Sequence, residues 1–114
     1  MEIQVQSEGK ILRFELNDSL AAKELYQQLP VEIDVSDYST NEKIFYPSEK
    51  LTTDGAPLAQ GGAGTLAYYK PWGNVVMFYG GFRSNNSLFE LGQVVNGGEF
   101  ISGLKGRIRI EPVQ

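Results

Sequence analysis

Two short runs in the second half of the chain, Thr65–Tyr69 and Val75–Tyr79, carry apolar side chains on both faces rather than at every second position. A strand sends successive side chains to opposite faces, so such an arm is either covered on both sides or lies beside a pocket. The connection between them, Lys70-Pro71-Trp72-Gly73, puts Pro where a type I turn wants a fixed φ and Gly at its last position, which reads as a hairpin. Any fold for this chain has to supply cover for both faces of that hairpin.

The rest of the chain alternates more conventionally. Ile3 and Val5 alternate with polar neighbours, Glu8-Gly9 supplies a turn, and Leu12, Phe14 and Leu16 share one face of a second strand. Asn17, Asp18 and Ser19 offer helix-capping oxygens. Ala21, Leu25 and Leu29 then form the apolar stripe of a short helix ended by Pro30. Val31, Ile33 and Val35 mark a strand, Asp37 to Asn41 a polar turn, and Lys43 to Tyr46 a short strand cut by Pro47. Ser48 to Gly64 reads as a long loop, Leu88 to Val95 as a strand, Gly98 to Leu104 as a helical turn, and Arg107 to Glu111 as the last strand. About seven or eight strands with two short helices, in one domain over residues 1–114, predict a mostly-β, closed or nearly closed barrel, because closure removes exposed edges.

Composition narrows the chemistry. The net charge is −4 and the ten Lys and Arg are dispersed, which argues against nucleic acid. Lys105, Arg107 and Arg109 alternate with Ile108 and Ile110 as the wet face of a strand. The chain has neither Cys nor His, so zinc-thiolate sites and Ser-His or Cys-His nucleophiles are ruled out. Asp34 and Asp37 fall on opposite faces of a strand, and no run resembles a calcium loop, so no metal and no cofactor are expected. Gly61-Gly62-Ala63-Gly64 opens onto a strand, not the helix N-terminus that a phosphate cradle needs. No apolar run approaches the roughly 20 residues of a membrane helix. Met1–Gln6 lacks a signal-peptide core, so the expected location is cytoplasmic, and the Asn17 and Asn85 glycosylation patterns read as turns. A small acidic domain of this kind also leaves homo-oligomerisation open.

The rings are the strongest functional signal. Tyr68, Tyr69, Trp72, Phe78, Tyr79 and Phe82 lie within fifteen positions together with Met77. Tyr and Trp keep a polar tip that wants water or a partner, and aromatic-lined hollows are the usual surface for peptide and proline-ring recognition. The candidate ligand-binding residues are Tyr46, Tyr69, Trp72, Met77, Phe78 and Phe82, with the Ser48–Gly64 loop as the other wall of a groove for a peptide segment or small molecule.

The order of elements resembles the cyclophilins. Gly9 to Leu16 followed by a capped helix, Gly64-Thr65-Leu66-Ala67-Tyr68, and Gly92-Gln93-Val94-Val95-Asn96-Gly97-Gly98 are similar to their second strand, their Gly-Thr-Leu strand and their closing strand and helix. Asn41-Glu42-Lys43-Ile44 and Ala67-Tyr68-Tyr69-x-Pro71-Trp72-Gly73-Asn74 resemble the small cyclophilin-like proteins of bacteria. The likeness covers nearly the whole chain and implies a closed eight-stranded antiparallel barrel with a short helix at each end. Cyclophilins are prolyl isomerases in which an Arg hydrogen-bonds the prolyl nitrogen and weakens amide resonance, lowering a barrier of about 18–20 kcal/mol. Here the matching stretch, Lys43-Ile44-Phe45-Tyr46-Pro47, has no Arg, the pocket Gln has no counterpart, and a pocket His is impossible. The apolar floor carries over onto Phe78 and Met77. The resemblance therefore implies a binding module with little or no isomerase activity, the alternative being an isomerase with Arg83, in the loop after the hairpin, standing in for the missing Arg.

Overall fold

Where polar and apolar residues alternate, the computed structural model, which describes all residues 1–114, shows strands with one dry face. In β1 (Glu2–Ser7) Ile3 and Val5 are buried and their neighbours half-buried. Its partner β2 (Lys10–Leu16) follows across Glu8-Gly9, both in the left-handed region at φ 51° and 79°. That is the type I′ geometry whose twist matches the two strands, and Gly9 adopts it without strain. Ser19 Oγ accepts a hydrogen bond from the Ala22 amide at 3.1 Å, capping α1 (Leu20–Gln27). The helix stops two residues before Leu29, because the Gln28 and Leu29 amides turn back to the Leu25 and Tyr26 carbonyls in a tighter turn.

The remaining strands are β3 (Val31–Tyr38), β4 (Glu42–Phe45), β5 (Thr65–Tyr69), β6 (Asn74–Phe78), β7 (Leu88–Asn96) and β8 (Gly106–Val113). A 3-10 helix, Gly98–Gly103, lies between the last two. All neighbours are antiparallel and the sheet closes in the order β1-β2-β7-β5-β6-β4-β3-β8. Closure leaves no unpaired sheet edge, as the count of strands required. The expected polar turn over residues 37–41 is shorter than that: β3 continues through Tyr38, pairing Asp37 with Lys43 and Tyr38 with Glu42. The Lys43 ammonium, buried beneath this pair, meets the Asp37 carboxylate at 2.6 Å, which accounts for the extra length of the strand.

The hairpin of β5 and β6 has cover on both faces. Leu66, Tyr68, Val75 and Met77 belong to the barrel interior, with Phe14, Leu12, Ile110 and the helix residues Ala22 and Leu25. Ala67, Val76 and Phe78 face outward into a second, smaller apolar cluster with Ile44, Ala59 and Leu88. The long loop supplies part of that cover and is tethered at several points. The Thr52 amide and hydroxyl both donate to the Glu24 carboxylate at 2.6 and 2.9 Å, and Ala59 bonds the Leu88 carbonyl. Leu51 is buried in the interior, and its amide donates to the buried Tyr68 hydroxyl at 3.1 Å.

That last bond joins loop and barrel in a dry place. Tyr68→Phe strands the Leu51 amide without an acceptor and is expected to lower stability by about 1–3 kcal/mol in urea unfolding. A loss below the error of the measurement would show that the loop is not anchored there.

Candidate functional site

Loop cover over the outer face of the hairpin is incomplete, and what it leaves open is a cleft of about 310 Å³. Its floor comes from alternate positions of β6: with Val75 and Met77 turned inward, Asn74, Val76 and Phe78 face out, beside Leu88 at the start of β7. The Phe82 ring stacks on Phe78 at 3.8 Å between centroids and 17° between planes. Phe82 is held by its own amide, which donates to the Gly61 carbonyl; a Cβ on Gly61 would lie 2.8 Å from the Phe82 carbonyl oxygen, so this approach requires glycine.

The walls are aromatic. Trp72 stands at the tip of the β5–β6 turn, where Gly73 takes φ 70° and its amide bonds the Tyr69 carbonyl. Its ring meets Tyr69 at 5.4 Å and 81°, and Tyr38 at 4.9 Å and 87°, both edge-to-face. Trp72 and Tyr38 are 46% and 45% exposed, which is high for rings of this size on a strand end and a turn. The opposite rim is the segment after β6. There the Asn41 side-chain amide donates to the Gly81 carbonyl, and the Asn85 side-chain oxygen accepts from the Ser87 amide in an Asx turn. Arg83 reaches the cleft from this rim, exposed and without a salt bridge.

Three polar groups in the cleft lack partners inside the protein. Asn74 is 1% exposed, and its side-chain oxygen has no hydrogen-bond donor. The side-chain oxygen of Asn41 is likewise buried and unpartnered. Glu42, half-buried, forms no ion pair, and burial alone pushes its carboxyl above the ordinary value. No three His, Cys, Asp or Glu side chains converge anywhere as a metal site would require, and no helix is long and apolar enough to cross a membrane.

Of the residues singled out in the sequence, Tyr69, Trp72, Phe78, Phe82 and Arg83 line this cleft together. Two do not. Met77 is fully buried in the barrel interior, because its parity on β6 is opposite to that of Phe78. Tyr46, 54% exposed beyond the end of β4, lies outside the cleft. The Ser48–Gly64 loop is not the second wall either; it holds the Phe82 amide through the Gly61 carbonyl, and Tyr38, Asn41 and Glu42 of the β3–β4 hairpin line the cleft instead. Asn41, Glu42 and Asn74 went unnoticed as site residues although all three sit inside the two motifs that carry the family resemblance.

The sequence matches the family described as the cyclophilin-like family over residues 5–111. Among curated proteins no sequence matches it. The fold is similar to the solution structure of a hypothetical protein from Archaeoglobus fulgidus, with a TM-score of 0.76 at 16% identity, covering 99% of this chain and 95% of that one.

The Glu42 carboxyl yields a stability test. A carboxyl whose pKa is raised by folding stabilises the fold in its protonated form. That contribution is complete below the ordinary value of 4.5 and is lost as pH rises through the raised, folded value. Glu42→Gln is therefore expected to raise the melting temperature at neutral pH, with the gain shrinking to nothing as pH falls below 4.5. Equal melting curves across that range would show that Glu42 is solvated.

Proposed function

The chain belongs to the cyclophilin-like family, and we propose that it is a binding module that takes a peptide segment or small molecule in the cleft over β6. The observation that carries this reading is Asn74: a buried side-chain oxygen without a donor, set in an apolar floor, is costly in an empty protein and useful in a liganded one. The rings add apolar area, and a cleft of about 310 Å³ is at the small end of ligand sites, enough for one or two side chains.

Trp72 is the single tryptophan, so its fluorescence reports on the cleft directly. Titration with proline-containing peptides and a panel of small metabolites is expected to shift its emission. Tyr69→Ala is expected to weaken binding about tenfold, the loss of roughly 1.4 kcal/mol. Tyr46→Ala, which alters an exposed ring outside the cleft, serves as the control and leaves binding unchanged. An emission spectrum unmoved across both panels would refute the proposal.

The presence of Arg83 beside Phe78 and Phe82 favours a second reading, a prolyl isomerase, since a guanidinium over an apolar floor is what amide-resonance weakening needs. Binding without catalysis gives isomerisation at the spontaneous rate even at high protein concentration. A rate above that background which Arg83→Ala abolishes would replace the first reading with the second.

A further inference from the structure

The groups left unpaired in the cleft describe the ligand they lack. The Glu42 carboxylate and the Asn41 and Asn74 side-chain oxygens are all acceptors, and no donor of the protein meets the two amide oxygens. The Asn41 assignment is internally consistent, because its amide nitrogen is the atom that donates to the Gly81 carbonyl. Tyr38 and Tyr69 both meet Trp72 edge-to-face, so three rings border one corner of the cleft, where a cation can lie against them. The nearest buried cation, Lys43, is already engaged by Asp37 and lies on the inward side. The cleft thus joins a carboxylate that makes no ion pair to three aromatic rings, in a chain whose net charge is −4.

Resting on the binding reading above, we infer that the cleft selects a cationic amine on an apolar stem, with Glu42 as its counter-ion and Tyr38, Tyr69 and Trp72 as its surround. The rim adds a second requirement. Arg83 is a donor without an acceptor, so the same molecule carries a carbonyl or carboxylate oxygen that meets the guanidinium. An amine, a short apolar stem and a carbonyl oxygen are the chemistry of a lysine side chain within a peptide, and equally of a free amino compound.

The test titrates the full chain with three probes, following Trp72 emission: lysine capped at both backbone ends, the same molecule acetylated on Nε, and pentylamine. Capped lysine is expected to bind at least about tenfold more tightly than its acetylated form, the weight of one charge-assisted contact. Glu42→Gln, checked for folding by its melting curve, is expected to close that gap. Capped lysine bound more tightly than pentylamine supports a carbonyl oxygen on Arg83 and a peptide source; the reverse order overturns that second requirement while leaving the amine preference. Equal affinity for the charged and acetylated forms, or a gap that survives Glu42→Gln, overturns the amine preference while leaving a binding cleft. Failure of every probe and of the proline-peptide panel removes the binding reading itself.

Discussion

The hairpin of β5 and β6 is dry on both faces, and that condition organises everything around it. A barrel wall normally needs only its inner face covered, since the outer face meets water. Here Ala67, Val76 and Phe78 put apolar surface on the outside, where it is exposed unless other segments lie over it. The long loop before β5 and the segment after β6 are the cover, which explains why a connection of that length is tied down at Glu24, Gln28, Tyr68 and Leu88 instead of hanging free. That cover leaves Val76 and Phe78 themselves buried, and the cleft is the hollow that remains beside them.

The polar groups in that remainder are at odds with the apolar floor. A buried amide oxygen without a donor costs about 1–3 kcal/mol, and both Asn41 and Asn74 present one. Glu42 adds a carboxyl that burial disfavours in its charged form. A protein with a stability of about 5–15 kcal/mol keeps such groups only where something repays them, and sites that bind are where that exchange is found. The stiffness of the surrounding hairpins fits the same picture. Asp37 and Lys43 lock β3 to β4 directly beneath Tyr38 and Glu42, so two of the residues that line the cleft move with the barrel wall and not with a loop.

Local chemistry made much of this legible in the sequence. Alternation at Ile3 and Val5 or Leu12, Phe14 and Leu16, the left-handed turn at Gly9 and the Ser19 cap each act within a few residues, so period and turn chemistry reveal them. The aromatic concentration around Trp72 was likewise visible. What stayed hidden depends on parity and on distance. Where both faces of β6 are apolar, nothing in the residue types says which of Met77 and Phe78 looks inward; the partner strands decide. Tyr38 and Glu42 reach the cleft because β3 runs past Asp37, an extension secured by a salt bridge between strands. The loop from 48 to 64 has no period to read, and its course is set by side chains of α1 and by the Tyr68 hydroxyl, all far away in sequence.

Sharing one strand between core and cleft limits how such a barrel diverges. Val76 and Phe78 are interleaved with Val75 and Met77, so a change of floor shape is felt one residue later in the interior and in the pairing with Glu42 and Ile44. Trp72 and Arg83 stand on a hairpin tip and a loop with few such ties. Changes of cleft shape in descendants of this chain would accordingly arise around the perimeter, while the back wall drifts slowly under the packing demands of the interior.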